Sequence, residues 1–191
     1  MSPQKANNST AEDLCLSCGL CCNGVIFADV QLQTEDNLAR LKSLGMRLTP
    51  PAHNGDAAQP GAQALPAAAK LPKLLQPCCA LEGSRCRIYS ERPGHCRQFE
   101  CLLLQSLRSG RISKISALEM VHSAHQRADA VLGLLRQLQD HDEHLALTTR
   151  FRRTARRLDA TRCNSETARL YGQLTVAMHE LNLLLSESFY R

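Results

Sequence analysis

Ten cysteines in a chain of 191 residues are the side chains with most chemistry to offer. Four of them fall within eight positions, as Cys15-x-x-Cys18-x-x-Cys21-Cys22. A two-residue gap lets the backbone wrap a metal so that both sulfurs reach it at about 2.3 Å, the knuckle geometry of zinc and iron–sulfur sites. Gly19 sits in the second gap, where such a turn often needs an unhindered backbone. Cys15, Cys18 and Cys21 point inward together at this spacing. Cys22, adjacent to Cys21, must face a second metal or another side of a cluster. A later block supplies Cys78, Cys79, Cys86, Cys96 and Cys101, with Cys163 left over. Eight thiolates suit two four-coordinate metals, or one cubane cluster plus one mononuclear site. Four thiolates around a divalent metal leave two negative charges, which Arg87, Arg92 and Arg97 of the later block are placed to offset from outside the ligand shell.

The rest of the composition bears on whether such thiols bind metal or pair as disulfides. Residues 1–14 are polar, without the apolar stretch of an export signal. No window approaches the roughly 18 apolar residues that cross a bilayer. The chain is therefore expected to be cytoplasmic, away from membranes, with reduced thiols and metal as the partner of the cysteines. The net charge is +5, from 23 Lys plus Arg against 18 Asp plus Glu. Two divalent metals on eight thiolates would lower it to about +1, which weakens the case for nucleic acid. Aromatic residues are only 4% of the chain. A core without large rings must be built from Leu and Ala, the composition of helices, or be held by something other than packing.

The elements that position the cysteines follow from local patterns. Residues 1–13 read as a flexible leader. Residues 25–32 form a short strand, and Thr34 followed by Glu35 and Asp36 starts a helix that turns Leu38, Leu41 and Leu44 inward and stops at Gly45. Residues 49–77 hold six of the eight prolines and read as an exposed insertion between the cysteine blocks, which leaves those blocks able to meet in space. Residues 87–89 form another short strand and 90–94 a turn. After Cys101 the chain is helical, in about three helices broken near 140–143 and 161–165. Their apolar seams are Leu118, Val121, His125, Ala128, Leu132 and Leu135, then Leu147, Phe151, Ala155 and Leu158, then Leu170, Leu174, Ala177, Leu181 and Leu184. The expected fold is mainly α: a small irregular metal-organised domain with short strands over residues 14–101, followed by a helical region, 102–191.

Other candidates are weaker. His125 lies on an apolar seam with His122 nearby, and reads as a satisfied core or boundary histidine rather than a ligand. Asp140, His141, Asp142, Glu143 and His144 fall in an inter-helix turn and read as a solvated loop. Arg150, Arg153, Arg156 and Arg157 form a basic surface that an anionic partner, a protein before a nucleic acid, could meet.

The cysteine pattern also carries a resemblance. The first block, then Cys78-x-x-Leu81, Cys86-Arg-Ile-Tyr89, Glu91-Arg-Pro93, Cys96-Arg97 and Phe99-x-Cys101, resembles the YkgJ-type cysteine-cluster family, described as a zinc- or iron-chelating domain. A similar cysteine domain occurs in flagellin lysine N-methylases. The resemblance covers residues 15–101 apart from the insertion. It implies Cys15, Cys18, Cys21, Cys22, Cys78, Cys86, Cys96 and Cys101 as metal ligands. Cys79 is an additional candidate, because the register between Cys78 and Cys79 stays open. The implied cofactor is an iron–sulfur cluster or Zn²⁺. The ferredoxin-like opening lacks that motif's fourth cysteine and proline, and an all-cysteine set serves clusters and closed zinc sites alike. The expected function is metal binding. The alternatives are an enzyme tied to protein lysine N-methylation or iron–sulfur redox chemistry, and a zinc-structured module that binds an anionic partner through its arginine-rich helix. No catalytic motif stands beyond the cysteines.

Overall fold

A computed structural model describes residues 13–50, 71–160 and 164–190. The leader (1–12), most of the proline-rich insertion (51–70) and Cys163 lie outside the described residues. The fold is mainly α. Residues 13–18 form a helix (α1), followed by α2 (Leu38–Ser43), α3 (Gly94–Gln98), α4 (Leu102–Arg108), α5 (Lys114–Gln137), α6 (Leu147–Asp159) and α7 (Ser165–Ser188). Two small antiparallel sheets join β1 (Asp29–Gln31) to β2 (Lys73–Leu75) and β3 (Leu81–Glu82) to β4 (Arg85–Cys86).

The expected strand at 25–32 shrinks to three residues because the chain before it is spent on cysteine-loop turns. The amides of Cys22 and Asn23 both donate to the Gly19 carbonyl at 2.9 Å, and that of Ile26 to Leu20 at 3.1 Å. The end of the insertion is not loop: β2 pairs Leu74 with Val30 and, from its other edge, bridges Leu48. The helix expected from Thr34 is α2, and it starts at Asn37, whose Oδ1 accepts from the Arg40 amide at 2.9 Å. Asp36 is occupied elsewhere, accepting from the Gln33 amide at 2.8 Å and the Gly94 amide at 2.7 Å. The strand expected at 87–89 lies earlier, as β4 of a hairpin that turns at Gly83, and Tyr89–Glu91 is a 3₁₀ turn.

Two hydrophobic cores result. The larger joins α5, α6 and α7 to Leu14, Leu20, Val25 and Ile26 of the first cysteine block. The smaller collects Val30, Leu32, Leu41, Met46, Leu74, Ala80 and Ile88. Along α5 the seam is rotated from the one its leucines suggest. Ala117, Val121, Ala124, Ala128, Val131 and Leu135 are buried, while Leu118 is 37% exposed. The most extensive helix contact is that of α5 with α7, and small Ala side chains there let the axes approach closely.

The turn at 138–146 corrects the reading of a solvated loop. Asp140 is buried, and its carboxylate accepts from Arg150 Nε at 2.8 Å and from Arg153 at 2.7 Å, while its backbone carbonyl accepts from Arg150 at 2.9 Å. Arg150 is itself only 2% exposed, so it is not part of a basic surface; its charge is consumed by Asp140 beneath α6. Arg153 also pairs with Asp142, and Arg157 donates to the Leu138 carbonyl. His141, Glu143 and His144 are exposed.

Candidate metal centre

Three structural devices fix the first cysteine block. Cys15 and Cys18 ride on α1, and Gly19, at φ +65°, turns the chain out of it. A Cβ at Gly19 would stand 3.2 Å from the Ser84 backbone, so only glycine suits this crossing of the β3–β4 hairpin. Gly24, at φ +83°, lies against Ala146, and its carbonyl accepts from the Leu147 amide at 3.0 Å, which docks the loop on the start of α6. His125 of α5 holds the loop from the other side, donating from Nε2 to the Cys18 carbonyl at 2.7 Å. This histidine is the satisfied boundary residue that its position on the seam suggested.

The second block is brought in by backbone pairing and turns. The Cys78 amide donates to the Cys22 carbonyl at 2.7 Å, which joins the two blocks directly. Cys86 lies on β4 and Cys96 inside α3. Cys101 caps α4, its sulfur accepting from the Leu104 amide at 3.4 Å.

All eight thiols, of Cys15, Cys18, Cys21, Cys22, Cys78, Cys86, Cys96 and Cys101, line one apolar cavity of about 120 Å³. That is several times the ~10–15 Å³ that admits a single water. Its wall also contains Phe27, His95 and Phe99, an aromatic trio in which Phe27 meets His95 and Phe99 edge-on at 6.2 and 4.8 Å. Cys79 does not line the cavity. It is exposed, and its sulfur lies 3.2 Å from the Gly45 carbonyl and 3.4 Å from the Met46 sulfur.

The electrostatics of the cavity favour neutral thiols in the metal-free chain. Burial, reinforced by Cys101 and Cys15, pushes Cys18 up to about 12. Burial and the thiols of Cys78, Cys96 and Cys86 do the same to Cys22, against the opposing pull of Arg92. Cys96 also rises to about 12, chiefly through burial and Cys78. Burial raises Cys21, Cys78 and Cys101 as well. Arg92 is the one permanently charged side chain among the described lining residues. Its guanidinium lies 3.5 Å over the Tyr89 ring and donates to the Tyr89 carbonyl at 2.8 Å, which holds the charge in place. Arg87 instead pairs with Glu82 and donates to the Cys79 carbonyl, and Arg97 is exposed on α3.

The residues present suit a thiophilic metal. The donor set is soft and dense, eight cysteines with His95 in the same wall. No disulfide joins the described cysteines. Gln76 Oε1, in the same wall, is buried without a hydrogen-bond donor, a cost of about 1–3 kcal/mol that a ligand in the cavity could relieve. Among the described residues no three Cys, His, Asp or Glu side chains stand in closed metal-site geometry. The thiols are gathered around the space without being drawn into a finished shell.

A helical protein with eight thiols converging on one cavity has the donor set of a metal-chelating protein. A family model described as "Putative zinc- or iron-chelating domain", named for its CxxCxxCC motif, matches residues 14–119, more than half of the chain. The chain belongs to this family. Comparison with curated proteins and with solved structures finds no match. Among the described residues no helix is long and apolar enough to cross a membrane.

Proposed function

We propose that the protein binds zinc or an iron–sulfur centre through Cys15, Cys18, Cys21, Cys22, Cys78, Cys86, Cys96 and Cys101. One observation carries this reading: thiols from two blocks more than fifty residues apart line a single apolar cavity. Buried thiols without a metal contribute little beyond their modest apolar surface, whereas a metal-bound set contributes folding energy outright. Cys78 is the ligand of its pair, since Cys79 faces away from the cavity. Arg92 is the cation that offsets thiolate charge. The metal would organise the segment from Cys15 to Cys101, which lacks a large core of its own.

Metal analysis and an absorption spectrum of anaerobically purified protein test the proposal. Near-stoichiometric zinc, or iron with sulfide-to-iron charge-transfer bands, supports it. Protein that is folded and carries neither metal, and takes up neither on addition, overturns it. Redox work or a link to lysine methylation rests on the family likeness alone.

A further inference from the structure

The eight thiols divide between the two hydrophobic cores. Cys15, Cys18, Cys21 and Cys101 pack against the larger core, formed by the long helices. Cys78, Cys86 and Cys96 pack against the smaller one, formed by α2, the β1–β2 sheet and their neighbours. Cys22 joins the latter three through its carbonyl, which accepts from the Cys78 amide at 2.7 Å. Cys21 and Cys22 are consecutive, so the boundary between the sets runs through one peptide bond. Phe27 packs against both cores and fills the same boundary with a ring.

We propose that the cavity holds two separate metal centres, one on Cys15, Cys18, Cys21 and Cys101 and the other on Cys22, Cys78, Cys86 and Cys96. This rests on the metal-binding reading above and goes beyond it in fixing the number of centres and the residues of each. Four cysteines per centre is the complement of a closed tetrahedral zinc site and of a four-cysteine cluster alike. The two centres are unequal. The second has the Arg92 guanidinium in the cavity wall beside it; the first is set among Leu14, Leu20, Leu103 and Leu104 and is tied to α5 through His125. Each centre clamps a different core: the first fastens the cysteine loop to the helical half, and the second fastens β4 and α3 to the β1–β2 sheet.

The test is anaerobic titration of the metal-free full-length chain with Co²⁺, followed by thiolate-to-cobalt charge transfer. The wild-type chain should take up two equivalents. The double variant Cys18→Ser/Cys101→Ser should keep one, and so should Cys86→Ser/Cys96→Ser. Combining all four substitutions should abolish uptake. A single equivalent in the wild type, lost in both double variants, overturns the two-centre proposal and leaves the metal-binding reading intact. No cobalt–thiolate bands in the folded wild type would instead remove that reading itself. Native mass spectrometry of the unmodified protein, as purified, answers without relying on any variant to fold. Metal leaving in two steps under a chelator supports two centres, and loss in one step overturns them.

Discussion

His125 Nε2 stands 2.7 Å from the carbonyl oxygen of Cys18, a residue 107 positions earlier in the chain. It is a direct polar tie between the long helix α5 and the first CxxC turn, and it fixes the height of that turn over the bundle. Replacing His125 by Leu keeps the volume roughly constant but removes the donor, leaving the carbonyl unpaired. The expected loss is about 1–3 kcal/mol of unfolding free energy. Urea denaturation of metal-loaded protein measures it; an unchanged midpoint would show that the tie has no mechanical role.

Metal loading should release protons. Cys18, Cys22 and Cys96 have thiols pushed up to about 12 by burial and by neighbouring thiols, so they are neutral at pH 7 before metal arrives. Each ligand must give up its proton to bind, about four per four-thiol centre. Apparent affinity therefore falls steeply as pH drops. Calorimetry in buffers of different ionisation enthalpy counts the protons; release of fewer than about two per centre would contradict neutral thiols.

The same shifts set the alkaline behaviour of the metal-free chain. A thiol whose folded pKa lies above its unfolded value of 9.0 contributes stability that is fully present below pH 9 and is lost as pH rises towards about 12. Metal-free protein should thus lose stability across that window in denaturant titrations. A chain with Cys18, Cys22 and Cys96 replaced by Ser should lose measurably less.

Asp140 anchors the turn before α6. Burial alone would raise its carboxyl, but hydrogen bonds and charge from Arg153 and Arg150 outweigh that and hold it below the usual carboxylate range. Its contribution is present above about pH 4 and lost as pH falls through the lowered folded value. Removing one partner of a buried pair typically costs about 3–5 kcal/mol. Asp140→Asn should therefore be strongly destabilising at pH 7, and its deficit relative to wild type should narrow in acid. A constant deficit from pH 6 to pH 3 would show that shape, and not charge, accounts for it.

Cys79 and Cys78 separate by metal content. Cys79→Ser should leave stoichiometry unchanged, because its sulfur lies outside the cavity against Met46 and Gly45. Cys78→Ser should lower it. The reverse result would reassign the register.

Much of the site was legible in the residues because cysteine spacing is a local constraint. The Cys18-Gly19-x-Cys21 turn, and the need for Cys22 to face a different side from Cys21, follow from adjacency alone. What spacing could not show is that Cys101, from the later block, sits with the first three thiols on the larger core. That depends on how α4 and α7 meet, where the Leu102 amide donates to the Phe189 carbonyl. The helical half was legible as apolar periodicity, but its faces were not. Leucine dominates any hydrophobic count, yet Ala117 and Ala124 are buried and Leu118 is not, because close helix contact selects small side chains. Asp140 and Arg150, ten residues apart across a turn, look in sequence like any solvated charges; only the fold puts both out of water.

Phe189 is wholly buried and lines the thiol cavity. On the ribosome the wall it supplies arrives last, after every cysteine of the two blocks. At about 5–20 residues per second, the first thiols wait on the order of ten seconds for it. Through that interval they face solvent, oxidants and competing metals without the shelter of the finished fold. Correct loading is thus a contest in time as well as in affinity, and a metal delivered early would protect the growing chain from oxidative damage.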